Sequence, residues 1–259
     1  MLKEHKVQID LEKCVGCGNC IKDCPGRALG LENGKAKVVN PLCIACAHCV
    51  AICPVQAVSI SGFPEEAEEL DGDERKLKAE EIVAALKGRR SIRQYQPTAV
   101  PKEILKQIIE AGRWTATARN TQGVSYIILQ KNIRLCEKMA VAGFRKMKNV
   151  LQKIYKPLEK MEITENFFFF GAPVAILVMS DNKIDAGLAA ANMTLVAEAN
   201  GLGTLYSGFF TIAVNRFSRL RKALKLSKKD KAAITIVLGY PDVKYHRTAL
   251  RESARVKAF

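Results

Sequence analysis

Apolar residues along this chain recur with two different periods, and the alternation between them predicts a mixture of strands and helices. Short runs rich in β-branched residues predict strands, and apolar positions three or four residues apart predict amphipathic helices. The predicted strands are 6–10, 35–39, 125–130, 174–179 and 233–238. The predicted helices begin at residue 80 and continue with 101–113, 132–155 and 185–200. Interleaved elements of this kind favour an α+β or α/β layered domain.

The segment 185–201 carries small apolar residues on every face. A helix that is apolar all round is normally buried all round, and a glycine commonly ends it. We therefore predict a fully buried helix that stops at Gly201. The single tryptophan, Trp114, is expected in the core, with stacking on a ligand as the alternative.

Composition along the chain predicts two domains joined by a linker. Residues 1–62 predict a small module built as a near-repeat of strand, cysteine loop and short helix. Residues 63–80 are acidic and poor in apolar side chains, which is typical of a linker. Residues 81–259 carry the remaining predicted elements and form the larger domain.

The balance of apolar and charged residues limits the class of protein. Of 259 residues, 48% are hydrophobic and 26% charged, as in a soluble globular chain, and the longest apolar run, 167–180, is interrupted by Gly171 and Pro173. We expect a cytoplasmic protein without a membrane partner. The net charge of +15 is spread over solvated helix faces without a nucleic-acid motif, so no nucleic-acid partner is expected.

Eight of the nine cysteines fall in two runs that repeat one spacing, C-x2-C-x2-C-x3-C-P. This is the ligand pattern of a bacterial two-cluster ferredoxin, in which the fourth cysteine of each run ligates the other cluster. Zinc favours separated C-x2-C pairs, and no secretory signal supports disulfides. The spacing therefore predicts two [4Fe-4S] clusters, one held by Cys14, Cys17, Cys20 and Cys53, and the other by Cys43, Cys46, Cys49 and Cys24.

The ninth cysteine, Cys136, lies in a helical pattern and is expected to be a buried, inert thiol.

A basic segment, 89–95, follows the first predicted helix of the larger domain and combines three arginines with Ser91. Guanidinium groups and a hydroxyl suit a phosphate. Taken alone, the segment is better explained as a solvated helix end that complements the helix dipole.

Five segments resemble, in order, the sequence motifs of the nitroreductase family. Segment 89–95 resembles its opening flavin-phosphate motif, and 115–122 resembles its Pro-Ser-x-x-Asn-x-Gln loop, although Ala116 and Thr117 replace Pro and Ser. The others resemble its central strand, its long dimer-core helix with the loop that follows, and its closing basic segment: 169–176, 185–209 and 238–251. We expect the altered loop to affect substrate preference and to keep flavin binding.

The resemblance implies an FMN site at the interface of a homodimer. Arg89, Ser91 and Arg93 would hold the phosphate and the pyrimidine edge of the flavin, and Arg90 would add backbone contacts. The other implied contacts are Thr117, Ala118 and Asn120 with the flavin of the partner subunit, Ser207 and Gly208 beside the isoalloxazine, and Arg251 or Arg247 in the phosphate cage. Taken singly, Asn120 and Ser207 could be ordinary loop caps, and Gly208 a turn with positive φ.

The two resemblances together imply an α+β ferredoxin–nitroreductase fusion. Its larger domain would have three α/β/α layers around a mostly antiparallel sheet. Electrons would pass through the clusters to FMN and then to an organic acceptor, such as a nitroaromatic or a quinone, in a two-electron reduction. The donor would be a ferredoxin-like protein or NAD(P)H, and the sequence identifies no catalytic proton donor. The alternative is a non-catalytic electron carrier or redox sensor in which the flavin domain serves to dimerise the chain.

Overall fold

The computed structural model describes residues 5–70, 77–154 and 156–258 of the chain. These separate into two compact units. One unit contains Met1–Lys76 together with Thr117–Thr121, and the other contains Leu77–Ala116 and Gln122–Phe259. Residues 71–76 of the predicted linker and the predicted helix end at residue 155 lie outside the described residues. The predicted domain boundaries stay a prediction.

The first unit repeats a small motif, and its short helices lie inside the two cysteine runs. Strand β1 pairs antiparallel with β4, and β2 pairs antiparallel with β3. Asn33 and Gly34 join the second pair with φ of 49° and 75°, the left-handed conformation that a tight hairpin turn requires. The elements are β1 Val7–Ile9, α1 Asn19–Lys22, β2 Leu29–Glu32, β3 Lys35–Val38, α2 His48–Ala51 and β4 Val58–Ile60.

The second unit alternates helices with the strands of one sheet. The predicted strand ranges are found within one residue of their ends, and the predicted helix ranges of this unit within two. The prediction of a short helix after each cysteine loop of the first unit was wrong, because each Cys-Pro is followed there by a turn and then by β2 or β4. Strand β7 and helix α7 were not predicted. The elements are α3 Ala79–Gly88, α4 Lys102–Arg113, β5 Ser125–Leu129, α5 Ile133–Ile154, β6 Val174–Met179, α6 Lys183–Ala199, β7 Gly203–Tyr206, α7 Gly208–Arg216, α8 Ser218–Ala223 and β8 Ala232–Gly239, with 3-10 turns at Ala118–Asn120 and Lys156–Lys160.

In the described part of the chain, the sheet of this unit has the strand order β5-β6-β8-β7, and all neighbours are antiparallel. The central strand β6 is buried at every position. Its side chains alternate between the two faces. Val174, Ile176 and Val178 pack in one core with residues of α4 and α6. Ala175 and Leu177 pack in a second core with α5, α7 and α8. The predicted three-layer α/β/α arrangement with an antiparallel sheet is therefore confirmed.

Two sequence predictions about burial were wrong. Helix α6 buries one side, including Ala186, Ala190 and Met193, but Ile184 is 73% exposed and Leu188 is 50% exposed. The core lies on one side of the helix only, so the period of 3.6 residues turns the rest of its apolar surface away from that core. Trp114 is also outside the core, being 74% exposed, and its ring lies 4.7 Å from the Arg113 guanidinium.

None of the described helices is long and apolar enough to cross a membrane.

Candidate functional site

Four cysteines from both runs line one cavity of the first unit. Cys14, Cys17 and Cys20 come from the loop before α1 and from α1 itself, and Cys53 comes from the loop after α2. This is the grouping that the spacing rule predicts, because the cysteine before the proline leaves its own run and joins the other.

A second cavity has the reciprocal lining. Cys43, Cys46 and Cys49 come from the second run, and Cys24 comes from the first. The described residues contain no group of three His, Cys, Asp or Glu side chains that could hold one metal ion. The four sulfurs of each set instead surround a cavity. Soft thiolates in sets of four are the donors that iron–sulfur clusters use, so the donor chemistry fits.

Backbone amides point at the sulfurs in a repeated pattern. The N–H of Ala28 donates to Cys24 Sγ at 3.2 Å, and the N–H of Ala57 donates to Cys53 Sγ at the same distance. In each case the donor lies four residues after the cysteine, beyond the proline. Such hydrogen bonds stabilise negative charge on sulfur and are one of the factors that set a cluster's potential.

The thiols of the two cavities have differently shifted pKa values. The pKa of Cys14 lies below its ordinary value because the backbone N–H groups of Ala36 and Gly16 donate toward its sulfur. Burial raises the pKa of Cys49 to about 11, and the neighbouring sulfurs of Cys46 and Cys43 add to the rise. Burial also raises the pKa of Cys20, with contributions from Cys14, Cys17 and Cys53. Neighbouring thiolates would repel one another where the sulfurs converge, so a cationic centre placed among them would stabilise their negative charge.

The first arginine of the basic segment is engaged inside the second unit. Arg89 follows α3, and its Nε donates to Oε1 of Glu198 on α6 at 2.6 Å. Its Nη2 donates to Thr204 Oγ1 on β7 at 3.2 Å. Sequence reasoning missed both partners, although Glu198 carried a signal, since it is the one carboxylate in the apolar stretch 186–200. Arg89 thus has a structural role whatever else it binds.

Arg90 lies against the C-terminal segment. Its Nη1 donates to the carbonyl of Arg89 at 2.6 Å, and its Nη2 donates to the carbonyl of Arg247 at 2.7 Å. The structure therefore brings together two of the predicted flavin residues that lie 157 positions apart. Arg251 is exposed and donates to the carbonyl of its neighbour Leu250 at 3.1 Å.

Ser91 and Arg93 lie on the surface beside β7. Ser91 forms a parallel bridge with Thr204. Ile92, which lies between Ser91 and Arg93, is buried, and its N–H donates to the Thr204 carbonyl at 3.0 Å. Both Ser91 and Arg93 are exposed, and the Arg93 guanidinium lies 5.9 Å from the Phe170 ring. Alternate residues of this segment face outward, which is the geometry of an extended strand.

Ser207 and Gly208 form the junction between β7 and α7. Ser207 is buried, and its N–H donates to the Thr235 carbonyl at 2.9 Å. Gly208 begins α7, and its φ is not in the left-handed region. A Cβ built at Gly208 would meet no atom of the described residues within 4 Å. The glycine therefore leaves free space beside the helix end, and no turn with positive φ accounts for it.

The segment Thr117–Thr121 belongs to the first unit, although the chain on both sides of it belongs to the second. The side-chain nitrogen of Asn120 donates to the carbonyl of Ala45 at 2.8 Å and to that of Ile44 at 3.3 Å. Thr117 and Ala118 precede it in the same turn. The prediction that these three residues contact a flavin stays a prediction, and the amide of Asn120 already binds the loop that carries Cys43 and Cys46.

Cys136 is buried on α5, and burial raises the pKa of its thiol, as expected for an inert cysteine.

Glu137, the next residue on α5, is a buried carboxylate that sequence reasoning missed. The Oε1 atom of Glu137 accepts hydrogen bonds from the N–H groups of Phe168 and Phe169 at 3.1 and 2.8 Å. Burial raises the pKa of Glu137, and these two donors partly oppose the rise. The pair of bonds fixes the turn that enters β6.

Comparisons with known proteins match each unit to a different group. A model of the Nitroreductase family matches residues 86–240, and a model of the 4Fe-4S dicluster domain matches residues 6–54. The curated protein "FMN reductase [NAD(P)H]" of Bacillus subtilis (strain 168) is 30% identical over 178 residues, which are 62% of this chain and 66% of that protein. "Ferredoxin-2" of Desulfomicrobium norvegicum is 47% identical over 32 residues, 12% of this chain and 54% of that protein.

A solved structure supports the fold of the second unit. The nitroreductase with bound FMN from Bacteroides fragilis NCTC 9343 has a TM-score of 0.57 and 19% identity. The match covers 69% of this chain and 98% of that one. At this identity the likeness shows the fold alone.

Proposed function

Because the chain belongs to the nitroreductase family, carries a 4Fe-4S ferredoxin domain at its N-terminus and is an FMN-dependent oxidoreductase, we propose that it carries electrons through two [4Fe-4S] clusters to FMN and on to an organic acceptor. The acceptor would be a nitroaromatic, a quinone or a similar compound, reduced by two electrons. The observation that carries the proposal is the pair of four-cysteine cavities in one chain with a nitroreductase domain.

The two cavities support two clusters rather than one. Each is lined by three cysteines of one run and the fourth of the other, so loss of either run would remove ligands from both sites. Iron–sulfur clusters supply one-electron transfer. The chain's part is to provide four thiolates per site and to direct backbone N–H groups at the sulfurs, as Ala28 and Ala57 do.

The surface beside β7 supports an FMN site. Ser91 and Arg93 offer an exposed hydroxyl and guanidinium to a phosphate, and Arg90 lies beside Arg247. A Cβ at Gly208 would fill otherwise free space, as expected where a flat ring system lies against backbone. The proposed set is completed by Arg89, Ser207 and Arg251, and by Thr117, Ala118 and Asn120 from the partner subunit's loop.

FMN, when bound, accepts electrons singly and delivers them in pairs, which is the conversion that a cluster-fed reductase needs. The residues of the chain hold and orient it. Arg89 and Glu198 keep the segment 89–95 in place, so that Ser91 and Arg93 face outward from a fixed backbone. Ser207, held by its N–H bond to Thr235, fixes the start of α7 at Gly208.

A homodimer would cover the exposed side of α6. Ile184 and Leu188 lie one turn apart on this helix and are largely exposed, although both are large apolar residues. A patch of this kind typically marks an interaction surface. We propose that a second copy of the chain packs there and that FMN binds at the interface. The cytoplasmic location expected from the sequence is part of the same proposal.

The electron donor is proposed to be a ferredoxin-like protein or NAD(P)H. A relative named "FMN reductase [NAD(P)H]" supports the second, and the N-terminal clusters support the first. Anaerobically purified protein would be assayed for iron, sulfide and flavin, then mixed in a stopped-flow instrument with NADH, NADPH or reduced ferredoxin. Eight irons and one FMN per chain support the cofactor proposal, and four irons or no flavin contradict it.

A cluster-deficient variant separates the two routes. We expect the double variant Cys17→Ser, Cys46→Ser to retain FMN and to lose flavin reduction by ferredoxin. Cys136→Ala is the matched control, because it removes the one cysteine outside both runs and should leave ferredoxin-driven reduction unchanged. If NADH and reduced ferredoxin both bleach the flavin of the double variant as fast as that of the native protein, the clusters are not the input of the enzyme.

A further inference from the structure

The side chain of Asn120 holds the loop that carries Cys43 and Cys46. Its Nδ2 atom donates to the Ala45 carbonyl at 2.8 Å and to the Ile44 carbonyl at 3.3 Å. These partners lie 75 and 76 positions away in the sequence, yet within the same compact unit. The two acceptors belong to consecutive peptide groups, so one side-chain amide fixes both.

Both sides of this contact have strained backbone. Arg119 and Asn120 have φ of 54° and 52°, and Ala45 and Ala47 have φ of 50° and 59°. Residues other than glycine rarely adopt this left-handed conformation, although asparagine tolerates it better than most. Such strain persists only where the surroundings enforce it, and it is common at functional sites. The corresponding positions of the first cysteine run are Gly16 and Gly18, which adopt the same conformation without strain.

One peptide group links Asn120 to a sulfur. The peptide between Ile44 and Ala45 accepts the Asn120 bond at its carbonyl, and its N–H donates to Cys43 Sγ at 3.4 Å. The peptide is planar, so fixing the carbonyl fixes the direction of the N–H. A hydrogen bond to the carbonyl also polarises the amide and strengthens its N–H as a donor.

We propose that Asn120 is a positioning residue for the cluster held by Cys24, Cys43, Cys46 and Cys49. It orients the Ala45 amide toward the Cys43 sulfur and thereby raises the reduction potential of that cluster. Hydrogen bonds to sulfur favour the reduced cluster because it carries the more negative charge. The inference rests on the two-cluster part of the proposed function.

The test is an anaerobic redox titration of the full-length protein, followed by EPR, on variants of Asn120. Asn120→Gly removes the amide and keeps a residue that tolerates the left-handed φ. Asn120→Asp keeps nearly the same shape, but a carboxylate cannot donate to two carbonyls. We expect one of the two midpoint potentials to fall in both variants while the other stays at the native value.

Asn33→Gly is the matched control. Asn33 also has a left-handed φ, of 49°, but it lies exposed at the turn between β2 and β3. The same substitution there should leave the potential that responds to Asn120 at its native value. A fall in Asn120→Asp without one in Asn120→Gly would assign the effect to charge and overturn the hydrogen-bond proposal.

Lys35→Gln identifies the responding cluster. Lys35 Nζ donates to the carbonyl of Cys14, which belongs to the other set of ligands. Loss of this positive charge should lower the other midpoint potential. The proposal is overturned if both substitutions lower the same potential, or if Asn120→Gly lowers neither potential. A native protein that binds four irons per chain rather than eight would instead refute the two-cluster part of the proposed function, and the iron assay measures this independently of the titration.

Discussion

The Nε atom of Arg89 donates to Oε1 of Glu198 at 2.6 Å, and the two side chains are only 23% and 22% exposed. This pair connects the segment after α3 to α6, and Thr204 on β7 accepts a further bond from the same guanidinium. The first arginine of a segment that resembles a flavin-phosphate motif is therefore also a structural residue. The exposed Arg93 has no comparable partner among the hydrogen bonds seen in the described residues.

We expect Arg89→Ala to destabilise the second unit of the flavin-free, full-length protein. The substitution leaves Glu198 largely buried without its charged donor, and a hydrogen bond between charged groups contributes about 1.5–3 kcal/mol. Urea unfolding should show a loss of about 2 kcal/mol in the free energy of unfolding. Arg93→Ala is the control and should change that free energy by less than about 0.5 kcal/mol, as is usual for an exposed residue. Equal losses in the two variants would contradict the structural role.

Arg93→Ala should instead weaken flavin binding. Loss of one charge-assisted hydrogen bond to a phosphate corresponds to a dissociation constant about 10- to 100-fold higher. Fluorescence titration of the flavin-free protein with FMN measures the change, and riboflavin, which has no phosphate, is the matched ligand control. An equal loss of affinity for riboflavin would show that Arg93 does not bind the phosphate.

The pattern of apolar residues predicted those strands of the sheet whose burial is reflected in their own sequence. Strand β6 is apolar at all six positions, which suits a central strand covered on both faces. Strand β7 could not be predicted, because its four residues become a strand only by pairing with β8 at the edge of the sheet. Helix α7 is rich in aromatic and β-branched residues, and it is helical because Phe210, Ala213 and Val214 pack together in the core.

The candidate sites differ in how far the sequence predicted them. The two four-cysteine groups follow from the spacing pattern, because three ligands of each group are close along the chain and the pattern assigns the fourth cysteine of each run to the other group. The bond from Asn120 to Ala45 spans 75 positions, and no local pattern encodes it. A motif-based prediction gave Asn120 a flavin role and was silent about this bond.

Two glycines of the second unit should respond oppositely to substitution by alanine. A Cβ at Gly203 would lie 2.3 Å from Cγ1 of Ile92, so Gly203→Ala should cost about 1–3 kcal/mol through overpacking. At Gly208 the Cβ meets free space, and Gly208→Ala should leave the free energy of unfolding equal or up to about 1 kcal/mol higher. Gly208→Ala should nevertheless weaken FMN binding, as measured by titration. Unchanged FMN affinity would exclude a flavin ring beside Gly208.

Glu137 should affect stability in a pH-dependent way. Burial raises the pKa of its carboxyl above the ordinary value of 4.5, and the N–H groups of Phe169 and Phe168 partly oppose this. From pH 4.5 up to the raised pKa, the folded state binds more protons than the unfolded state. The contribution of Glu137 to stability therefore falls as pH rises through this window. Glu137→Gln cannot ionise, so its stability relative to the native protein should increase over the same window, as urea unfolding at several pH values would show.

Glu137→Ala is the contrasting variant, since it leaves two buried N–H groups without their acceptor. We expect a loss of about 2–4 kcal/mol, because each unsatisfied buried donor costs about 1–3 kcal/mol. Glutamine keeps the acceptor oxygen and should cost less than alanine at every pH. A constant difference between Glu137→Gln and the native protein across the window would contradict the raised pKa.

The exposed side of α6 should control the oligomeric state. Leu188→Glu places a carboxylate on the proposed interface, and in a twofold-symmetric dimer each substitution is buried twice. We expect the dimer dissociation constant to rise at least about 10-fold, which corresponds to about 1.4 kcal/mol. Light scattering during size-exclusion chromatography, over a series of concentrations, measures it. Leu135→Glu on α5 is the matched control, because Leu135 is 56% exposed and Leu188 is 50% exposed. A dimer that weakens equally in both variants, or in neither, would place the interface elsewhere.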